Sequence, residues 1–131
     1  MPHVPSGRRI AVRFDERVWN EAVRGFSGRA LDVAVSARRS LAREGVALAA
    51  LRPCESLGPD RTELAGCAKL YLAPGDAPPS ERPFGFVLQL ARDDAALLVF
   101  VFVAFGPRHP RAGVRSVYER AHRQLHGRFP T

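Results

Sequence analysis

The residues best suited to chemistry lie in the second half of the chain: Lys69, Arg82, Arg108, His109, Arg111 and Tyr118, near the ends of apolar runs or just after them. Their types suit a phosphodiester. Scission of RNA by its own 2′-hydroxyl needs a group to take that proton, a group to protonate the leaving 5′-oxygen, and fixed positive charge facing the developing phosphorane. Arg108 suits the charge role, because its planar fork grips two phosphate oxygens and stays protonated. Tyr118 and His109 are the candidates for moving protons. A free phenol titrates near pH 10, so it serves as a base only where guanidiniums stabilise phenolate, whereas an imidazole starts from about 6.5. Arg82, Arg111 and Arg115 are placed to hold backbone phosphates, and no metal or other cofactor is expected, since arginines supply the charge a cation otherwise would.

Other chemistries have less behind them. His122 and His126 stand one helical turn apart, a spacing that can hold zinc, but no Glu follows the first His and no third ligand is placed by sequence. They read as part of a wet helix face. None of Ser27, Ser36, Ser40, Ser56, Ser80 or Ser116 lies in a nucleophile-elbow context, and no glycine loop is built to cradle a nucleotide phosphate. Cys54 and Cys67 form no CxxC pair and read as small buried thiols rather than a disulfide.

The element that must position the candidate residues is the apolar run 95–105, eleven residues without a charge. It is long enough for a strand covered on both faces and much too short to cross a bilayer. It stops at Gly106-Pro107, since proline cannot donate to a ladder, and so delivers Arg108, His109 and Arg111 to a rim. Residues 114–127, with Val117, Ala121 and Leu125 at four-residue spacing and Gly127 as terminator, predict a short amphipathic helix carrying Tyr118 one turn in.

Upstream, residues 9–14 alternate and predict a first strand. Asp15 then caps a helix to about Phe26, with a core-facing stripe of Val18, Trp19, Ala22, Val23 and Phe26. Ser27 caps a second helix to Glu44 with Leu31, Ala34, Val35, Arg38 and Leu41 along it, while Arg38, Arg39 and Arg43 are assigned mostly to its solvated side. Residues 46–62 read as irregular, with a short helical extension at 46–51. A strand follows at 68–73, with Lys69 and Tyr71 sharing one face and Leu70 and Leu72 the other. After a loop at 74–83, residues 84–91 and the tight connection 92–94 lead into the long apolar strand as a hairpin. The expected fold is a single α+β domain over residues 1–131, with 1–8 a flexible leader: N-terminal strand, helical hairpin, antiparallel β-meander and a short C-terminal helix, with the helices on one face of the sheet.

Charge points toward a polyanion. Twenty Lys and Arg face 13 Asp and Glu for a net +7, and residues 106–131 hold six arginines against Glu119 alone. Lys69 is the sole lysine in an otherwise arginine-rich chain, so a compositional bias toward arginine does not account for it. The start lacks an apolar signal segment and no stretch could span a membrane, so a cytoplasmic protein with no membrane partner is expected.

The order C-A-K-L-Y-L at 67–72, F-G-F-V-L-Q-L at 84–90, a D-D hairpin, a long apolar strand into F-G-P-R-H-P, and S-V-Y-E-R-A-H-R-Q-L at 116–125 resembles toxins of the RelE/ParE superfamily from bacterial toxin–antitoxin operons. The resemblance implies a RelE-like fold and a messenger-RNA interferase that cuts in the ribosomal A site and is held inactive by a cognate antitoxin. Its partners would be messenger RNA, the ribosome and that antitoxin. It also implies catalytic roles for Lys69 on the strand, Arg108 at the strand end and Tyr118 opening the last helix. The chain departs from the pattern at Phe84-Gly85, where many relatives carry an arginine, at Tyr71, where a second lysine is common, and in a longer loop between Arg108 and Tyr118. The alternative within the same superfamily is a ParE-like toxin that lacks ribonuclease residues and binds DNA gyrase. A basic nucleic-acid-binding module without chemistry would explain the charge but not the Tyr and His beside it.

Overall fold

The computed structural model describes residues 9–54, 61–74 and 82–130, so the expected leader at 1–8 and most of the loop at 74–83 lie outside the described residues. Five strands form one mixed sheet in the order β1 (Arg9–Arg13), β5 (Leu97–Pro107), β4 (Phe84–Asp93), β3 (Cys67–Leu72) and β2 (Arg52–Pro53). The helices are α1 (Glu16–Val23), α2 (Gly28–Glu44) and α3 (Val117–His126), with a 3₁₀ turn at Leu48–Ala50. The α+β class and the antiparallel meander of β3, β4 and β5 match the sequence reading. The sheet as a whole is mixed, because β1 lies parallel to β5 and closes its outer edge. A two-residue β2 adds a rung inside the stretch expected to be irregular.

The helices do not share one face, contrary to expectation. Side chains alternate across a strand, and in β3 the even positions Ala68 and Leu72 join the core made with Trp19, Val33 and Ala34 of α1 and α2. Odd positions face the other way, where Cys67 and Val87 pack with Val117 and Ala121 of α3. The sheet is therefore covered on both sides, which is why β5 can be apolar almost throughout.

One irregularity in β5 is legible as a shift of phase. Leu98, Phe100 and Phe102 keep a period of two, and the next large core ring is Phe105 rather than residue 104. Opposite β4 the register jumps from Val87↔Ala104 to Leu88↔Phe102, so Val103 is the extra residue of a β-bulge. The bulge returns Phe105 to the face of Phe102 and turns Val103 and Ala104 both toward α3. On the α1/α2 side the rings form a network in which Phe102 lies 5.1–5.3 Å, centroid to centroid, from Phe14, Trp19 and Phe86.

Local signals hold the ends. Asp15 caps α1, its carboxylate accepting from the N–H groups of Arg17 and Val18 at 2.9 and 3.1 Å. Asp94 turns the β4–β5 hairpin by accepting from Ala96 and Leu97, and the adjacent Arg92 guanidinium and these two amides hold its carboxyl below the usual range. Helix α2 departs from its expected stripe: Val33 and Ala34 are buried while Val35 is exposed. Arg38 is not on the solvated side. Its guanidinium lies over Phe14 and Trp19 at 4.8 and 4.9 Å and pairs with Glu16, so it closes the seam between α1 and α2.

Candidate active site

The cleft is built from the strand ends upward. On the α3 face of the sheet, β3 presents Lys69 and Tyr71, and across from Tyr71 the neighbouring strands carry Gly85 and then Gly106. These two glycines leave a lane without Cβ atoms. Arg108, just beyond β5, runs back over Gly85, where an added Cβ would lie 3.4 Å from its Cγ. Arg120 of α3 occupies the space over Gly106, where a Cβ would come within 3.0 Å of its Cδ. The burial this brings lowers the guanidinium of Arg120 from its ordinary value.

Helix α3 starts at Val117 rather than 114, because Ser116 is its N-cap: the hydroxyl accepts from the Glu119 N–H at 3.2 Å and the Glu119 carboxylate accepts from the Ser116 N–H at 3.0 Å. This capping box fixes the first turn and with it Tyr118, the second helical residue. Residues 108–116 form the loop that rims the cleft, turned at Gly113 with φ of 88°.

The resulting cleft, about 790 Å³, is lined by Lys69, Arg108, His109, Arg111, Arg115 and Tyr118 together with Thr62 and Glu119. Lys69 places its Nζ 5.4 Å from the centre of the Tyr118 ring. Tyr118 is half-buried, its ring partly against the α3-side core. Three candidates expected to share one site therefore do so, with His109 and two further arginines around them. Arg82 is the exception: its side chain is not on the lining, and its backbone carbonyl instead accepts from Arg108 Nη1 at 2.9 Å. Arg115 is partly engaged, pairing with Glu119 at 3.0 Å and lying 4.1 Å over the ring of Phe129.

The field in the cleft is positive and little compensated. Arg52 stands directly opposite Lys69 in the β2–β3 ladder, a like-charge juxtaposition that costs stability. Arg52, Lys69 and Arg108 all lie within 6 Å of the Tyr71 ring centre. Among the described residues no carboxylate forms an ion pair with Lys69 or Arg108. Cations gathered without counter-charge favour an anion as ligand. Tyr71 and Gly85 were not among the expected site residues. The signal for Tyr71 was its shared strand face with Lys69, whereas nothing local marks Gly85.

The histidine pair fastens the wall of the cleft. His122 is buried, not on a wet face, and its Nδ1 accepts from the Glu63 N–H at 3.0 Å, while His126 Nε2 lies 2.9 Å from the Glu63 carbonyl. Together they fasten the segment holding Thr62 and Leu64 to α3. Among the described residues no cluster of three or more His, Cys, Asp or Glu is placed to hold a metal ion. Replacing His122 with alanine strips a buried amide of its acceptor and opens a void, so a loss of about 2–4 kcal/mol is expected in urea unfolding. A loss under about 0.5 kcal/mol would mean the latch is not formed in solution.

Cys54 and Cys67 are neighbours across the β2–β3 ladder, joined by Cys54 N–H donating to the Cys67 carbonyl at 3.1 Å. Both thiols are free, and burial, with Cys67 nearby, pushes Cys54 up to about 12. Burial raises Cys67 as well, and a thiol held protonated in this way is a poor nucleophile near neutrality. No described helix is long and apolar enough to cross a membrane.

Fold and site thus define a mixed α+β sheet, covered on both faces, with an arginine-rich cleft at one strand end. No family model, curated protein or solved structure matches the chain.

Proposed function

We propose that this chain is a RelE-like endoribonuclease that cleaves messenger RNA by attack of a 2′-hydroxyl on the adjacent phosphate. The observation that carries the reading is the convergence of Lys69, Arg108 and Tyr118 on one cleft in which, among the described residues, neither Lys69 nor Arg108 has a carboxylate partner. In this scheme Tyr118, as phenolate, takes the proton of the 2′-hydroxyl as the 2′-oxygen bonds to phosphorus. Arg108 and Lys69 face the charge that builds on the non-bridging oxygens. His109 donates a proton as the bond to the 5′-oxygen breaks, which leaves a 2′,3′-cyclic phosphate and a 5′-hydroxyl. Arg111 and Arg115 hold flanking phosphates. Positive charge from side chains makes a metal unnecessary for these steps. Action on the ribosome, the role as a toxin and control by a cognate antitoxin rest on the sequence resemblance; the phosphodiester chemistry rests on the cleft.

The test is product chemistry. Purified protein, incubated with messenger RNA on programmed ribosomes, is expected to yield fragments ending in 2′,3′-cyclic phosphate. Substrates with 2′-deoxyribose at the cut position should survive. Intact messages together with broken DNA in expressing cells would reject the ribonuclease and favour the gyrase-directed alternative.

A further inference from the structure

Tyr71 has no part in the steps above, yet three cations gather around its ring. Arg108 is the closest, its guanidinium carbon 3.6 Å from the ring centre, against 5.5 Å for Arg52 and 5.8 Å for the Lys69 ammonium. At 3.6 Å the two planar groups are in van der Waals contact, and the attraction between cation and ring is strong when shielded from water. Three further restraints act on the same arginine. Its backbone N–H donates to the Pro83 carbonyl at 2.8 Å, its Nη1 donates to the Arg82 carbonyl at 2.9 Å, and its stem lies along Gly85. A side chain with four rotatable bonds is thereby ordered before any ligand arrives.

One donor is left over. Among the described residues, Arg108 Nε is buried and has no hydrogen-bond partner. Buried donors are nearly always satisfied, so an orphan of this kind beside a ligand-sized cleft marks a missing acceptor. Because Nη1 is committed to Arg82, the part of the guanidinium still free to grip an oxyanion is the edge formed by Nε and Nη2.

Resting on the phosphodiester reading, we infer that Tyr71 is the positioning residue of the site: it holds the Arg108 guanidinium flat so that its Nε edge meets the scissile phosphate. A lysine at this strand position would repel Arg108; a tyrosine holds it. Gly85 lies beneath the same arginine: an added Cβ there would come to 3.4 Å from the Arg108 Cγ and 3.3 Å from the Leu70 carbonyl oxygen, so a longer side chain would compete with the arginine stem for this space. Pre-ordering of this kind acts mainly on the transition state, because the fork is already aimed where charge develops.

Two measurements decide the matter. In single-turnover cleavage Tyr71→Leu is expected to slow the chemical step by between about tenfold and a hundredfold with little change in KM. Tyr71→Phe, which keeps the ring, should restore the rate. In the Arg108→Ala background Tyr71→Leu should cost nothing more. The second measurement needs no activity: the Nε–H resonance of Arg108 in nitrogen-15 spectra of the full chain should shift when 2′-O-methyl RNA, which cannot be cut, is added. That response should persist in Tyr71→Phe and vanish in Tyr71→Leu. If wild-type protein cuts no RNA but the ring-dependent Nε response is seen, the ribonuclease reading fails and the positioning role stands. If RNA is cut and Tyr71→Leu matches wild type, or the Nε response ignores the ring, the positioning role is wrong.

Discussion

If the chain is the ribonuclease proposed above, replacing Arg108 with alanine should lower the rate of RNA scission by about 10²- to 10³-fold, the range seen when one preorganised donor facing a developing oxyanion is removed. The loss should fall on the chemical step, because Lys69, Arg111 and Arg115 remain on the cleft to bind phosphates. Arg108→Lys should recover only part of the rate, since a point charge cannot make the two parallel bonds of the guanidinium fork. Stability should hardly move. The variant forfeits a stacking contact and one hydrogen bond, but it also removes a buried donor without a partner among the described residues and a cation that shares the Tyr71 ring with Lys69 and Arg52. The informative pairing is a rate measurement beside a thermal melt. A collapse of rate with an unchanged melt supports the assigned role, and an undiminished rate would remove Arg108 from the chemistry and with it the central claim about the cleft.

The second large effect concerns the core. Phe102→Ala should destabilise the protein by about 3–5 kcal/mol. Phe102 is 1 % exposed and touches rings from three elements or their flanks: Phe14 after β1, Trp19 of α1 and Phe86 of β4. Removing it leaves a void ringed by rigid aromatic side chains, which collapse poorly into the space. For a chain of this size the melting temperature should drop by about 10–20 °C. Leu90→Ala, at a position 38 % exposed on β4, provides the contrast and should cost no more than about 0.5 kcal/mol. Similar melts for the two variants would mean that the ring cluster is not packed as described.

Both effects spring from the phase of one strand. The bulge at Val103 keeps Phe102 and Phe105 on the α1/α2 side and turns Val103 and Ala104 toward α3. Small side chains there, and glycine at 85 and 106, give α3 and the stems of Arg108 and Arg120 room to lie close to the sheet. Structural and functional halves of the molecule are thus two faces of the same three strands.

Much was legible from residue types and spacing alone: the α+β class, the β3–β4–β5 meander, Asp15 opening α1 and Glu44 closing α2, and the delivery of Arg108 and His109 to a rim. These are local decisions, set by alternation, capping and the inability of proline to continue a ladder. That Lys69 shares a face with Tyr71 is likewise a matter of strand period. Which face α3 would cover was settled only by the tertiary fold, because an amphipathic helix carries its apolar stripe but not the address of its partner. The parallel pairing of β1 beside β5, the burial of His122 against Glu63, and the fall of Arg38 onto Phe14 and Trp19 depend equally on contacts between residues far apart in sequence. The same holds for the cleft. Chain order brought the basic residues to neighbouring strand ends, and only the stacking of Arg108 across Gly85 onto Tyr71 turned that neighbourhood into a defined geometry.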